Sequence, residues 1–278
     1  MSDHRWSWDE TLYAGSAGYY RTGRMPYPDA VAEALRRALD LDGRGRLLDV
    51  GCGPGSLTLL LAPLFAEVVG VDADREMIAH AGLAAHAAGV GNVSWHQLRA
   101  EQLPAGLGRF RVVTFAQSFH WLDRPRVAAL VRAMLEPDGR CVHVQASTQH
   151  GVPGEEPLRH PRPPWQAIGA LVTRFLGPHR RAGQGYLPDG TPSGEDDVFR
   201  AAGFRGPVRV SAGGGEVVDR SEDELVAAVF SFSGAAPHLF GERVAEFEAE
   251  LRALLRRTSP GGQFAERTSP VALDLWRP

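Results

Sequence analysis

The sequence contains no lysine, because all 30 of its basic residues are arginine. No lysine is therefore available for a Schiff base or as a general base, and a Walker A loop, which requires one, is excluded. Charge of one sign is not in excess either. The 33 acidic residues leave a formal net charge of −3, which provides no overall positive field for nucleic acid or an anionic membrane. The composition favours a small-molecule substrate over a polymer.

Cysteine and long apolar runs are also scarce. Only Cys52 and Cys141 occur, and we expect both to be small buried side chains without a disulfide. The longest apolar stretch, residues 57–66, is interrupted by Thr58 and Pro63 and is shorter than the roughly 20 residues that a membrane span needs. The first residues show neither a basic start nor an apolar signal core. These features predict a cytoplasmic protein.

Short apolar runs alternate with helical patterns along most of the chain. Strands are predicted over residues 46–50, 67–73, 93–98, 110–116, 140–145, 208–218 and 271–278. Helices are predicted over residues 28–39, 56–66, 74–88, 124–135, 165–176, 193–204, 221–230 and 237–257, with Ser193 capping the sixth. This alternation predicts an α/β fold, a doubly wound Rossmann-like sheet of seven mostly parallel strands. An N-terminal helical lid and a cap inserted after the fifth strand complete the prediction.

A glycine-rich turn follows the first predicted strand. The run LLDVGCGPG ends that strand at Asp49 and then places Gly51, Gly53 and Gly55 at alternate positions. Without a Cβ the backbone can turn sharply and approach a ligand, and the next helix directs its free N–H groups at the same point. The spacing is G-x-G-x-G, whereas a dinucleotide fingerprint is G-x-G-x-x-G. NAD is therefore the weaker interpretation of this turn.

Further motifs follow the turn at regular spacing. DVGCGPG precedes VVGVDAD, and RAEQLP, AQSFHWL and MLEPDGR fall in register behind them. Over about residues 20–146 the sequence resembles the class I S-adenosylmethionine-dependent methyltransferases. It is most similar to their small-molecule branch, the methyltransferase type 11 family, which includes the ubiquinone/menaquinone C-methyltransferases. The resemblance implies S-adenosyl-L-methionine as cofactor and S-adenosyl-L-homocysteine as product.

From the chain length we expect one methyltransferase domain over residues 1–278, with four parts. These are an N-terminal helical lid (1–45), a S-adenosylmethionine-binding core (46–146), a substrate cap region (147–206), and sheet completion with C-terminal helices (207–278).

Cofactor contacts follow from the resemblance, residue by residue. It implies that Asp49 and the backbone of Gly51 and Gly53 hold the methionine moiety. Asp72, at the end of the second strand, is implied to accept both ribose hydroxyls, and open parallel sheets do bind nucleosides at the carboxyl ends of their strands. Two alternatives remain. Asp72 is also a candidate N-cap, in competition with Asp74, and Asp49 is also a candidate turn-stabilising carboxylate.

The adenine end departs from the family pattern. The third strand of the family usually ends in an aspartate that binds the adenine amino group, whereas this sequence has Arg99, which offers no acceptor. Either Glu101 or Gln102 takes that role, or backbone and packing hold the adenine. Met77 packs on the adenine or fills the core. The other expected cofactor contacts are Ala73, Ala100 and Gln117, with Tyr20 and Arg24 from an entry helix that the resemblance places over the cofactor.

The substrate is expected at the end of the fourth strand, which faces the methyl donor in this fold. Methyl transfer requires the nucleophile and the methyl group in line within about 3–3.5 Å. His120 is the candidate base, because an imidazole with a pKa near ~6.5 accepts protons at neutral pH; the alternative is a histidine hydrogen-bonded within its loop. Substrate contacts are expected from Ser118, Phe119 and Trp121 in this segment and from Trp165, Tyr186 and His238 in the cap.

Residues 178–181, PHRR, offer arginines to an anionic substrate or to solvent. The histidines show no tight metal-ligand spacing, so no metal is predicted.

The sequence thus predicts a monomeric or homodimeric methyltransferase that transfers a methyl group to a small-molecule acceptor, a specialised metabolite, by in-line displacement. The alternative is a protein of the same fold that binds S-adenosylmethionine without methyl transfer, in a pericyclase-like or regulatory role. An RNA or protein substrate is disfavoured, because the sequence lacks a basic tract, a zinc knuckle and an N/D-P-P-Y/F motif.

Overall fold

The computed structural model describes residues 9–154, 156–182, 185–186 and 193–278. Its helices and strands, in chain order, are α1 (Ala17–Gly23), α2 (Asp29–Ala38), β1 (Arg46–Val50), α3 (Ser56–Leu61), β2 (Glu67–Asp72), α4 (Arg75–Ala87), β3 (Val93–Gln97), β4 (Phe110–Ala116), α5 (Arg124–Met134), β5 (Leu135–Gln145), α6 (Trp165–Leu176), β6 (Arg181–Ala182), β7 (Gly185–Tyr186), α7 (Glu195–Ala201), β8 (Arg205–Ala212), β9 (Val217–Ser221), α8 (Glu222–Phe230), α9 (Val244–Thr258), β10 (Gln263–Arg267) and β11 (Val271–Arg277). Short 3-10 turns lie at Ala62–Leu64, Ala100–Gln102, Phe119–Trp121, Ser233–Ala235 and Pro237–Arg243.

Seven strands form one sheet in the order β3-β2-β1-β4-β5-β11-β8. The strands from β3 to β5 pair in parallel, whereas β11 pairs antiparallel with both of its neighbours, β5 and β8. The prediction of a doubly wound, mostly parallel seven-stranded sheet is confirmed. Because the carboxyl ends of β1, β2 and β4 are adjacent, the residues that follow these strands meet at one edge of the sheet.

The parallel strands are apolar on both faces, as strands covered on both sides must be. On one face Leu48, Val113 and Phe115 pack in a core cluster that includes α5 residues and Trp276. On the other face Leu47 and Val112, with the strands beside them, pack against α2 and α3. Cys141 lies in the first cluster, Cys52 is buried in the glycine turn, and both are free.

The cap has a core of its own. This third cluster draws side chains from α6, α8, α9 and the 237–243 turn, so the cap helices come from both sides of the predicted boundary at residue 206. Beside it lies a buried ion pair of Arg220 Nη1 and Glu266 Oε2, 3.4 Å apart, with side chains 3% and 0% exposed. Glu266 Oε1 accepts hydrogen bonds from Gly151 N (2.8 Å) and Trp165 Nε1 (2.7 Å), and Arg220 Nη2 donates to Gly23 O. The pair thus joins β9 and β10 to the lid and to the chain after β5.

Several element predictions are corrected. The region 208–218 is two strands in different sheets, separated at 213–215 by three glycines with positive φ. The helix expected over 237–257 is interrupted at Gly241 (φ 54°, ψ −132°), and α9 begins only at Val244. Ser193 does not cap α7, whose N-cap is Gly194 (φ 93°) without a side-chain hydrogen bond. The strand β10 was not predicted.

No helix in the described part of the chain is long and apolar enough to span a bilayer.

Candidate functional site

A cavity enclosing about 900 Å³, its open mouth included, lies at the carboxyl ends of β1, β2 and β4. Twelve of the residues expected in the site line it: Tyr20, Asp49, Gly51, Gly53, Asp72, Ala73, Met77, Ala100, Glu101, Gln117, Ser118 and Trp121. The predicted cofactor residues are thus brought together, with the exception of Arg24.

The glycine turn lies against the end of β4 so closely at Gly51 that a side chain does not fit there. Gly51, Gly53 and Gly55 all have positive φ, between +54° and +79°. A Cβ on Gly51 would lie 2.5 Å from Cβ of Ser118, whose hydroxyl donates a 2.6 Å hydrogen bond to Val50 O. A Cβ on Gly53 would meet no atom within 4 Å. Glycine at position 51 is therefore required by both conformation and space.

Asp72 connects the glycine turn to the start of α4. Its Oδ2 accepts a hydrogen bond from Gly53 N (2.8 Å) and its Oδ1 accepts one from Asp74 N (2.9 Å). The N-cap of α4 is Asp74, whose side chain accepts from Glu76 N and Met77 N. Asp72 therefore does not cap the helix, and each of its oxygens keeps acceptor capacity on the cavity side. Burial raises the pKa of Asp72 to about 6.

Asp49 is fixed more tightly than Asp72. It is buried at the end of β1, where Thr58 Oγ1 donates to Oδ2 (2.6 Å) and Thr114 Oγ1 donates to Oδ1 (2.7 Å). Burial raises its pKa, and the two hydroxyl donors oppose that shift. The carboxylate therefore has a structural role, as the alternative interpretation proposed, while it also lines the cavity.

At the adenine end, Glu101 and Gln102 are placed differently. Glu101 is buried and lines the cavity, with Oε1 accepting from Asp123 N at 3.0 Å. Gln102 is exposed, outside the cavity lining, and its Oε1 accepts from Arg99 N at 3.0 Å. Of the two alternatives for an acceptor, Glu101 is the one beside the cavity.

The chain before α2 covers the cavity. Leu12, Tyr13 and Tyr27 line it together with Tyr20. The first three were not predicted as site residues, although the aromatic-rich N-terminal sequence pointed to this segment. The rings of Tyr13 and Trp121 are 5.8 Å apart, edge to face. Burial raises the pKa of Tyr13 and Tyr27, so both remain neutral phenols.

Arg24 lies outside the cavity lining. Its guanidinium is 4.7 Å from the ring centre of Tyr20 and donates two 2.8 Å hydrogen bonds to Ser231, from Nε to Oγ and from Nη2 to the carbonyl oxygen. Arg24 thus fixes the lid to the cap and contacts Tyr20 of the cavity lining.

Two residues after β4 differ from expectation. Phe119 is completely buried in the core and stacks on Phe199 with ring centres 4.6 Å apart, so its expected contact with the substrate is not supported. His120 is half-buried beside Trp121 but does not line the cavity. Burial, aided by the neighbouring His143, Arg124 and Arg24, lowers the pKa of His120 to about 4.

The three residues expected in the cap also lie away from this cavity. Trp165 donates its Nε1–H to Glu266 inside the cap. Tyr186 is 41% exposed and stacks on His179, with ring centres 4.6 Å apart. Nδ1 of His238 is 3.0 Å from Ala14 O, and this histidine lines a second cavity. Sequence spacing could not distinguish these aromatic side chains from packing residues.

Over residues 9–154, 156–182, 185–186 and 193–278, no three His, Cys, Asp or Glu side chains are grouped to hold a metal ion.

Known methyltransferases are similar to this chain. Residues 47–139 match the family model of a methyltransferase domain. The chain is 31% identical over 133 residues to YcgJ, an uncharacterized methyltransferase of Bacillus subtilis strain 168, and the match covers 48% of this chain and 53% of that protein. The chain thus spans about half the length of the curated relatives it matches.

Two solved structures share the whole fold at low identity. The [4+2]-cyclase SpnF superposes with a TM-score of 0.54 at 16% identity, covering 96% of this chain and 94% of that one. A S-adenosylmethionine-dependent methyltransferase of Geobacter sulfurreducens, solved with S-adenosyl-L-homocysteine, gives 0.51 at 16% identity, covering 96% and 97%. The resemblance found in the sequence is confirmed over residues 47–139, which are similar to a methyltransferase domain, and the solved structures show the same fold.

Proposed function

We propose that this protein transfers the methyl group of S-adenosylmethionine to a small-molecule acceptor, a specialised metabolite. The observation that carries the proposal is that Asp72, Asp49 and the glycine turn line one cavity at the carboxyl ends of the central strands. The narrow approach of Gly51 to Ser118 leaves the backbone of the turn facing that cavity. The chain has no excess of positive charge that would favour a nucleic acid as the acceptor.

The residues that line the cavity fit the parts of the cofactor. Asp72 would accept the two ribose hydroxyls, because each oxygen already holds one backbone N–H and keeps capacity for another donor. Asp49 with the turn would hold the amino-acid end. Ala73, Met77, Ala100 and Glu101 would surround the adenine.

When bound, S-adenosylmethionine supplies an electrophilic methyl group that passes to the acceptor as its bond to sulfur breaks. The contribution of the chain is alignment and exclusion of water. Leu12, Tyr13 and Tyr27 cover the cavity, and Gln117 and Trp121 form its floor. His120 is neutral at pH 7 because its pKa is lowered, but it does not line the cavity, so a proton from the acceptor would reach it only through another group.

A second candidate function keeps the cofactor and omits the transfer. It is favoured by the position of His120, the candidate base, outside the cavity lining. The fold itself is shared with the [4+2]-cyclase SpnF, so it accommodates chemistry other than methylation.

Titration calorimetry with S-adenosylhomocysteine tests the cofactor site. Asp72→Ala should weaken binding by about 2–4 kcal/mol, because a charged acceptor of two hydroxyl hydrogen bonds is lost. Asp42→Ala is the matched control: it removes a surface aspartate that pairs with Arg111 outside the cavity lining, and it should leave the affinity unchanged. An unchanged affinity in folded Asp72→Ala protein would remove this residue from the site.

Labelled methyl transfer separates the two candidate functions. Purified protein is incubated with S-adenosylmethionine carrying a radiolabelled methyl group and a metabolite extract of the source organism. Release of S-adenosylhomocysteine in equal amount to a labelled small molecule supports the methyltransferase. Tight binding without turnover supports the second candidate, and absence of binding contradicts both.

A further inference from the structure

A second cavity, enclosing about 610 Å³ with its open mouth included, is lined in part by the N-terminal segment, as the cofactor cavity is. Leu12 lines both cavities, so they are adjacent at this side chain. The second cavity is built by four segments that are distant in sequence: the N-terminal segment, the end of α6, the 233–235 turn and the 237–243 turn. Its lining residues are Asp9, Thr11, Leu12, Leu176, His179, Arg180, Ser233, His238 and Leu239.

Arg180 in this cavity is half-buried and pairs with no carboxylate in the described part of the chain. Its Nη1 donates to Gly234 O at 3.2 Å and its Nη2 donates to Thr173 Oγ1 at 3.5 Å. Its Nε is buried and has no hydrogen-bond partner. A guanidinium has five N–H donors and stays charged at neutral pH, so this one retains both positive charge and donor capacity.

The other polar groups in the wall act in both directions: three of them can donate hydrogen bonds to an anion, whereas the carboxylate of Asp9 repels one. His179 and His238 supply imidazoles, and Ser233 supplies a hydroxyl. Asp9 supplies a carboxylate, whose Oδ1 already accepts hydrogen bonds from Thr11 N (2.9 Å) and Thr11 Oγ1 (2.7 Å).

Apolar side chains surround the polar groups. Leu176 lies at the end of α6, Leu239 is 42% exposed, and Leu12 forms the side shared with the cofactor cavity. A ligand that fits this wall has an apolar or aromatic body and an anionic end, because guanidinium groups hold carboxylates by charge-assisted hydrogen bonds.

We propose that the second cavity binds the carboxylate of the methyl acceptor, with Arg180 as its anchor. This inference rests on the proposed function and names the substrate class: a carboxylic acid whose body extends past Leu12 toward the cofactor cavity. Arg180 is a substrate-binding residue in this proposal, and it takes no part in the transfer itself.

Calorimetry with a named pair of probes tests the anchor without knowledge of the true acceptor. Benzoate and its neutral analogue benzamide are titrated into protein saturated with S-adenosylhomocysteine. Benzoate should bind and benzamide should not. Arg180→Gln should weaken benzoate binding about 10- to 100-fold, because a charge-assisted pair is lost. Arg174→Gln is the matched control: this arginine lies on α6, is exposed, and pairs at the surface with Glu250, so benzoate binding should not change.

Each result is decisive because folding and cofactor binding are measured in parallel. Circular dichroism and S-adenosylhomocysteine affinity should be the same in Arg180→Gln and in the wild type. Equal benzoate affinity in both proteins, equal binding of benzamide, or no benzoate binding to the wild type overturns the anchor. Loss of S-adenosylhomocysteine binding in the wild type contradicts the proposed function instead.

The labelled acceptor gives an independent check. It should contain a carboxylate, and Arg180→Gln should raise its KM about 10- to 100-fold while kcat at saturation is retained, since binding alone is affected. A labelled acceptor without an acidic group overturns the proposal.

Discussion

Asp49 and Asp72 are the same side chain with the same number of hydrogen-bond donors, and they differ in exposure. Asp49 receives one threonine hydroxyl at each oxygen, and Asp72 receives one backbone N–H at each oxygen. At the scale of single residues, exposure therefore supports the proposed role of Asp72 as the nucleoside acceptor: Asp49 is 1% exposed, whereas Asp72 is only partly buried in the wall of the cavity.

The raised pKa of Asp72 makes cofactor affinity depend on pH. Burial raises this pKa to about 6 in the ligand-free protein, and ribose hydroxyls donate only to the ionised carboxylate, so the complex has a lower pKa. S-adenosylhomocysteine affinity should be constant above about pH 7 and fall about tenfold per pH unit below about pH 6. Calorimetry from pH 5 to 8 measures this. Asp72→Asn should bind weakly with no such slope; the same slope in that variant would assign the titration to another group.

His120 gives a second prediction about single residues. If His120 is the base, His120→Ala should lower kcat about 10²–10⁴-fold and leave cofactor affinity unchanged. Because its pKa is lowered to about 4, wild-type kcat should be level from pH 5 to 8 instead of falling below the usual histidine pKa. Steady-state kinetics across this range are the measurement. Unaltered kcat and KM in His120→Ala would show that the histidine belongs to the scaffold.

For single residues, the sequence indicated which side chains lie near one another where a residue of suitable chemistry also occupies a fixed position in a motif. Asp49, Asp72 and Gly51 follow strands whose ends must meet, so their neighbourhood could be inferred. Phe119 and Trp165 could not be assigned in this way. An aromatic side chain has the same appearance in a sequence whether it faces a ligand or fills a core, and both of these are packed inside.

At the scale of elements, the glycine turn sets the distance between β1 and the end of β4. Gly51→Ala should cost about 2–5 kcal/mol of unfolding free energy, from the positive φ and from the contact of its Cβ with Ser118. Gly53→Ala has the same kind of φ and open space around its Cβ, so it should cost only about 1–2 kcal/mol. Urea unfolding of the two variants measures the difference. Equal losses would mean that Ser118 moves aside.

The bounds of helices and strands with a clear hydrophobic periodicity were predicted closely. The bounds of elements that end at a local change in backbone geometry were not. For β4 and α6 the predicted and observed bounds agree. The break between β8 and β9 depends on three successive glycines at 213–215, and the interruption at Gly241 depends on a single residue with positive φ. Both interruptions depend on the packing of the cap, and the local hydrophobic periodicity of the sequence carries no information about that packing.

At the scale of the whole molecule, the lid belongs mechanically to the cap. Ser16 Oγ donates to Phe230 O at 2.8 Å, and a Cβ on Gly23 would lie 2.3 Å from the backbone of Ala227. The segment that covers the cofactor cavity is thus packed directly on α8. Any movement of the lid therefore requires that it separate from α8 or that both move together.

This packing predicts a pair of glycine variants with opposite outcomes. Gly23→Ala should push α1 away from α8 and weaken S-adenosylhomocysteine binding about tenfold or more, because Tyr20 is displaced from the cavity. Gly18→Ala, in the same helix with no atom within 4 Å of its Cβ, should leave binding unchanged. Calorimetry gives the affinities. In hydrogen exchange, the ligand should protect residues 12–23 and α8 together in the wild type and in Gly18→Ala; protection of either segment alone would contradict the coupling.

The position of β11 between β5 and β8 affects the order in which the strands of the sheet can assemble during synthesis on the ribosome. β8 is synthesised earlier than β11, yet it joins the sheet only through that strand, with Arg209 of β8 bound to Asp274 of β11. Until β11 emerges, β8 is an unpaired edge with Val208 exposed, which is a hazard for association with other nascent chains. β1, β2 and β4, which form the cofactor cavity, are complete long before that point. Synthesis from the N-terminus therefore allows the strands around the cofactor cavity to assemble first, and β11 inserts between β5 and β8 afterwards.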